Sequence, residues 1–491
     1  MIRRIVLAVL AVLALLALAV AANTWRLGSR QLQVPPLAPI TVDERAAAES
    51  LAAALRARTV SSESDAGLNA DQFQILQAHL TARYPLLHAA LQREVVNGLS
   101  LLYTWPGSDA KAEGIGLMAH QDVVPIAAGT EAAWQAEPFA GTIRDGFVWG
   151  RGAWDDKSNL IAQMEAVEAL LRSGFKPVRT VYLIFGADEE VGGERGAARI
   201  AALLKERGVR LQFIVDEGLL ITDGIMPGLK QPAALVGIAE KGYLSLQLRA
   251  KATPGHSSMP PATPGRSAIA QVSAALTQLD AHPMPAAIGG VAAEMFDTIA
   301  PEMSGFGRVA LSNLWLFGPV VRSQLEQGAG TNAMLRTTTA LTMVSAGNKD
   351  NVLPGRAEAT VNFRILPGDT RASVTEHVRR TIANAEIGLE PLPGSSEPSA
   401  VASTRSDAYL SISRTLREVA PDVLVAPALM LGGTDSRWFE PVAQSIFKFS
   451  PIRANADDLE RFHGTNERVS VAGLAEMIRF YHRLLQQSAG R

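Results

Sequence analysis

The 491-residue sequence contains no cysteine, which excludes disulfides, thiolate metal sites and cysteine nucleophiles. Any bound metal must then be held by His, Asp and Glu. Charge is sparse as well. Only 19% of residues are charged, and 46 Lys and Arg against 48 Asp and Glu give a formal net charge of -2. Phosphate recognition requires a basic excess, so nucleic acid is excluded as a partner. Histidine occurs only at positions 79, 88, 120, 256, 282, 377, 463 and 482. Apolar residues are plentiful: 47% hydrophobic content excludes a disordered chain, and the length suits two or three domains with substantial cores.

Polar side chains are missing altogether from Ile5 to Ala22, an 18-residue run behind Arg3 and Arg4. That is the lower end of what spans a bilayer as a helix. Its length favours an uncleaved anchor, although Ala19-Val20-Ala21 offers a signal-cleavage site. The arginines keep the N-terminal side in the cytoplasm, so under either reading the bulk of the chain lies outside it, periplasmic, extracellular or secreted.

Residues 1–26 form this element, and the proline-containing stretch 27–41 is a linker. A catalytic domain begins at residue 42. Apolar runs Gly114 to Ala119, Val181 to Phe185 and Leu211 to Val215 read as strands, alternating with helical patterns at Asn159 to Ser173 and Gly196 to Glu206. This α/β order implies a mainly parallel sheet with chemistry at the carboxyl ends of its strands. Residues 242–400 follow another pattern. Strands near Leu244 to Leu248, Thr337 to Val344, Ala357 to Arg364 and Ile387 to Leu392, with helices at Ser267 to Leu279 and Arg371 to Ala385, give the β-α-β-β-α-β order of a ferredoxin-like α+β unit. It reads as a lid inserted between catalytic segments 42–241 and 401–491. The stretch Pro283 to Ala333 lengthens the connection between its first helix and second strand.

His and carboxylates gather at the predicted strand ends: His120 and Asp122 in MAHQDVVP, Asp155 in GRGAWDDK, Glu189 and Glu190 in GADEEVGGERG, Asp216 in VDEG, and His463 in FHGTNERV. Singly, each suits a turn or a surface. Together they suggest buried carboxylates whose desolvation a cation offsets. A dinuclear metal site explains them, with one carboxylate bridging two ions and another left free to accept a proton.

At these residues the sequence resembles the M20 family of metallopeptidases. The motifs HxD, GRGxxDDK, GxDEExGG, DEG, GHSSxP, NVLPxxAxxxxNxR, GGTDSR and HGxNE occur in order between His120 and Arg468. LSNLWLFGP, LRTTTALTMVSAGNKDNVLP and VNFRILPGD place the likeness nearest the carboxypeptidase S and N-fatty-acyl-amino-acid hydrolase branch. The resemblance implies two Zn2+ ions, with Co2+ or Mn2+ as substitutes. Asp155 would bridge them, Glu190 and His463 would complete one site, and His120 and Asp216 the other. Glu189 would be the general base, and Asp122 would orient His120. It also implies a cis peptide between Asp155 and Asp156. His256 would stabilise the oxyanion, reached across a homodimer interface or by lid closure. Asn351 and Arg364 would bind the substrate carboxylate, and Gly433 and Thr434 would contact the substrate through their backbone.

Two departures from the family pattern are Ser158, where Gly is common, and Trp438, where His is common. The expected activity is hydrolysis of the amide bond next to a free C-terminal carboxylate, in a small peptide or an N-acyl amino acid. An inactive binding protein of the same fold would show missing ligands, and here the set is complete.

Overall fold

A computed structural model describes residues 1–490. Helix α1 (Ile2–Arg26) contains the apolar run and is long and apolar enough to cross a membrane by length and composition. The following segment does not hang free. Gln31 exchanges two hydrogen bonds with the Val425 backbone, at 3.0 and 2.8 Å, and Leu37 N–H donates to Glu418 O at 3.1 Å.

Strands β1 (Gln92–Val96), β2 (Ser100–Trp105), β3 (Gly114–His120), β4 (Val181–Gly186), β5 (Leu211–Thr222) and β6 (Ala233–Glu240) begin the large sheet. Strands β7 (Gly242–Lys251), β8 (Thr338–Ala346), β9 (Arg356–Ile365) and β10 (Gly388–Pro391) form a second sheet, and β11 (Leu424–Met430) and β12 (Ile446–Ala454) return to the first. The large sheet runs β1-β2-β4-β3-β5-β12-β6-β11. Its centre is parallel, through the β3–β4, β3–β5, β5–β12 and β6–β11 pairs. Helices α2 (Lys157–Arg172) and α9 (Val471–Ala489) pack together and cover it. Buried Leu160, Val167, Met477 and Phe480 are among the residues they supply to the core. Burial on both faces explains why the central strands are continuously apolar.

The second sheet is antiparallel in the order β8-β9-β7-β10. Helices α3 (Ala268–Ala281) and α8 (Arg371–Ile382) share one apolar core with it, built by Leu244, Leu246, Val272, Val361, Phe363 and Val374. This is the β-α-β-β-α-β order expected from the sequence.

The stretch that lengthens the connection between the first helix and second strand of the inserted unit is itself helical. It forms α4 (Gly290–Ile299), α5 (Gly305–Ser312), α6 (Leu314–Leu325) and α7 (Ala329–Leu335). Helix α4 lies on edge strand β11, with Met295, Phe296 and Ile299 in one cluster with Ala426 and Ala428. The segment is therefore spatially part of the large-sheet unit. The small alanines on β11 leave room for its larger side chains, a match between residues too distant in sequence for local pattern to reveal.

Candidate functional site

Strand β3 ends at His120, which pairs in register with Gly186 at the end of β4. The chain leaving β4 turns sharply through Asp188, Glu189 and Glu190 and closes on Gly192 and Gly193, both at positive φ. At Gly193 a Cβ would lie 1.8 Å from the Asp435 carboxylate, so the turn requires glycine for space as well as for conformation. Asp155 lies just before α2 and is joined to Asp156 by a cis peptide. His463 sits at φ +57° in the loop before the last helix.

These elements bring the expected residues together. The two Asp155 oxygens face different histidines, Oδ1 at 2.9 Å from His120 Nε2 and Oδ2 at 2.7 Å from His463 Nε2. Glu190 Oε2 is 3.6 Å from His463 Nε2, and Glu190 Oε1 is buried with no hydrogen-bond partner among the described residues. Ligand atoms of His120, Asp155 and Glu190 all lie within 4.8 Å of one another, as do those of His120, Asp156 and Glu217. Two atoms sharing a tetrahedral zinc at about 2.0–2.2 Å stand about 3.4 Å apart, so these separations and this His and carboxylate donor set fit such an ion.

Asp122 is fully buried and organises the neighbourhood. Its carboxylate accepts hydrogen bonds from the backbone N–H groups of Glu189 and Glu190, both at 3.1 Å, and from Ser61 Oγ at 2.7 Å. One oxygen lies 3.4 Å from His120 Nδ1, and the Asp122 backbone carbonyl lies 3.0 Å from the same nitrogen. That contact fixes the ring so that Nε2 points at Asp155.

The DEG pair is placed differently from expectation. Asp216 Oδ2 accepts the Ser436 N–H at 2.9 Å, whereas its neighbour Glu217 approaches His120 Nε2 at 3.4 Å. Successive side chains on a strand point to opposite faces, and here it is Glu217 that faces the cluster. The sequence carried the signal in two adjacent acids but not the strand's phase. Strand β5 also runs beyond both acids to Thr222 instead of ending at Val215.

Burial dominates the electrostatics. It pushes Glu190 up to about 7, assisted by the Asp155 charge, and raises Glu189 and Glu217 well above the usual carboxylate range. Burial also opposes ionisation of Asp155, but hydrogen bonds from His120 and His463 overcome it and hold its pKa low. For His120, burial is outweighed by Glu217, Asp122 and Asp155, which raise its pKa well above the usual value. Such a concentration of acids needs cations to stabilise its ionised form.

The residues expected at the substrate are more dispersed. His256 and Asn351 lie on an exposed two-strand ribbon of the lid, where Gly255–His256 pairs with Val352–Leu353 and Ser257 N–H donates to Asn351 O. No hydrogen bond links either residue to the acidic cluster among the described residues. Arg364 is half-buried on β9, with its guanidinium 4.8 Å from the Tyr243 ring centre. Thr434 Oγ1 donates to Glu240 Oε2 at 3.2 Å, and a Cβ on Gly433 would come within 3.1 Å of Arg437 Nη1. Ser158 touches no ligand and donates to Trp154 O at 3.2 Å, and Trp438 Nε1 donates to Gly192 O at 3.3 Å. Of the remaining histidines, His79 meets Ser50, His88 meets Tyr103 and His482 is buried on α9.

A mainly parallel sheet ending in clustered His and carboxylate donors, with an antiparallel α+β unit inserted in its chain, is the arrangement of a metal-dependent hydrolase. The pattern of peptidase family M20/M25/M40 matches residues 116–315. The sequence is 39% identical to an N-fatty-acyl-amino acid synthase/hydrolase of Danio rerio over 442 residues, 89% of this chain and 84% of that protein. It is 37% identical to a probable carboxypeptidase S-like protein of Dictyostelium discoideum, covering 95% and 91% of the two chains. The chain belongs to the M20 metallopeptidase family. Its fold is similar to that of an M20 metallo-carboxypeptidase from Sulfolobus solfataricus, with TM-score 0.64, 17% identity and coverage of 91% and 99%. Human carnosine dipeptidase 1 is likewise similar, with TM-score 0.61, 16% identity and coverage of 91% and 97%.

Proposed function

We propose that the chain is a dinuclear zinc hydrolase of the amide bond next to a free carboxylate. The observation that carries this reading is Asp155, whose two oxygens each face a different histidine. In this arrangement Asp155 would be shared by two ions, Glu190 and His463 would complete one site, and His120 and Glu217 would complete the other, with Glu217 in the place expected for Asp216. Bound there, zinc supplies Lewis-acid polarisation of the scissile carbonyl and acidifies a water; Co2+ or Mn2+ can substitute.

Glu189 makes no side-chain hydrogen bond to the protein among the described residues, which leaves it free to take the proton of the attacking water. The water oxygen bonds to the acyl carbon, the C–N bond breaks, and Glu189 returns the proton to the amine nitrogen. Asp122 holds His120 and the Glu189–Glu190 turn in place. Arg364 and Asn351 bind the free carboxylate, Arg364 through two parallel hydrogen bonds, while Gly433 and Thr434 present backbone to the substrate. His256 stabilises the oxyanion once lid closure, or a second copy docked through the lid, carries it to the cluster. Helix α1 anchors the chain in the membrane with the catalytic part outside the cytoplasm.

Both a small peptide and an N-acyl amino acid meet these demands. Likeness to the N-fatty-acyl-amino acid synthase/hydrolase of Danio rerio favours a fatty-acyl group on the acyl side, and hydrolysis run backwards joins the same acid and amino acid. The test is a panel of dipeptides and N-acyl amino acids assayed with the zinc-loaded full chain. Glu189→Gln is expected to keep its metal and lose about 10²- to 10⁴-fold in kcat. Unchanged kcat in that variant would overturn the mechanism.

A further inference from the structure

Helices α5 and α6 expose Phe306 (67%), Trp315 (60%) and Val320 (64%) to solvent. Phe306 also packs edge-on against Phe317, with ring centres 5.6 Å apart, so the two helices carry one apolar surface of the kind that marks a contact site. The neighbouring contacts say with what. On α1 the residues that lose exposure are Leu16, Val20, Asn23 and Thr24, followed by Leu27 just past its end, a stripe at helical spacing, and α5 packs against this helix. Asn23 Nδ2 donates to Ser312 O at 2.5 Å, while Asn313 Nδ2 donates to Thr24 Oγ1 at 2.9 Å and to Val20 O at 3.4 Å. Arg308 reaches Leu27 O at 3.4 Å.

The α5–α6 junction is thus fixed to the last turns of the apolar helix, beside exposed Trp25. Leu16 to Trp25 spans about 13 Å of helix axis at 1.5 Å per residue, about the depth from the headgroups into the acyl chains. The Gln31 clamp on Val425 and the seating of α4 on β11 hold both parts to the same sheet edge. Trp favours that interfacial depth and Phe the apolar face of a helix lying in it; Arg308 and Arg322, the latter 3.7 Å from Glu326, lie on the same two helices, where lipid phosphates would meet them.

We infer that α5 and α6 form a lipid-binding platform that lies in the outer face of the bilayer next to α1, so that the enzyme is held by a surface as well as by one helix. This rests on the proposal that α1 is embedded in a membrane. Because the chain has no cysteine, single Cys substitutions can be spin-labelled without background. The variants are Leu10→Cys in α1, Phe306→Cys, Trp315→Cys and Val320→Cys on the platform, and Ile75→Cys at an exposed apolar site on the helix Ala70–Arg83. Each full chain is placed in phosphatidylcholine and phosphatidylglycerol vesicles, and collisions with oxygen and with an aqueous nickel chelate are compared. Positions 306, 315 and 320 should show an oxygen-to-nickel ratio on the order of threefold above that at position 75. If position 10 is in lipid and the three platform sites behave like position 75, the platform is overturned and the anchor stands. If position 10 is also aqueous, both fall.

Discussion

At the scale of single residues, the acids after β5 show what alternation along a strand decides. Asp216 accepts the Ser436 N–H, and Glu217 faces His120. Glu217→Ala is therefore expected to lower bound zinc from about two ions per chain to about one. Asp216→Ala should keep both ions while loosening the Ser436 turn. Metal analysis of the two purified variants checks this, and the reverse pattern would restore Asp216 as the ligand. His120, Asp122, Asp155, Glu189, Glu190 and His463 could be named from sequence because each lies in a short motif, and the structure brings their side chains into one neighbourhood. In the DEG motif the two adjacent acids lie on a strand, and only the phase of that strand separates them.

Among elements, the loops that carry Asp155 and His463 are tied together by one buried pair. Glu467 accepts N–H groups from Trp154 at 2.7 Å and Asp155 at 3.1 Å, and pairs with Arg151 Nη1 at 2.5 Å. Arg151 Nη2 in turn donates to the backbone carbonyls of His463 and Gly464. Both residues lie within recognisable motifs, yet their partnership crosses more than three hundred positions and has no local signature. Removing one member of a fully buried pair leaves the other charge unpaired, so Glu467→Ala should cost about 3–5 kcal/mol. Denaturant unfolding of the zinc-loaded variant measures it. A loss below about 1 kcal/mol, typical of a surface pair, would mean that the two loops are held in another way.

For the whole molecule, the acidic cluster couples pH, metal and stability. Burial raises Glu190 from 4.5 to about 7, and Glu189, Glu217 and His120 are shifted upward too. The folded metal-free chain therefore holds protons that the unfolded chain has released, and its stability falls as pH rises from about 5 to 7. A divalent ion bound at the cluster would displace those protons, so its affinity is expected to rise over the same window. Thermal melts with chelator should show Tm falling with pH and the gap to the zinc-loaded protein widening. A chelated protein whose Tm rises across that window would contradict the assignment. Most of the architecture at this scale was readable from strand and helix periodicity. The seat of α4 on β11 was not, because Ala426 and Ala428 reveal a groove only once the sheet is assembled.

The order of the large sheet also governs how the protein comes into being. Strand β12, residues 446–454, lies between β5 and β6, which are made more than two hundred residues earlier. A growing chain can build both walls of that slot but cannot fill it until residues 446–454 have emerged. His463 arrives just after the filling strand. Closure of the sheet and assembly of the acidic cluster are consequently tied together, and a product truncated before residue 446 has neither a finished sheet nor the second histidine that faces Asp155.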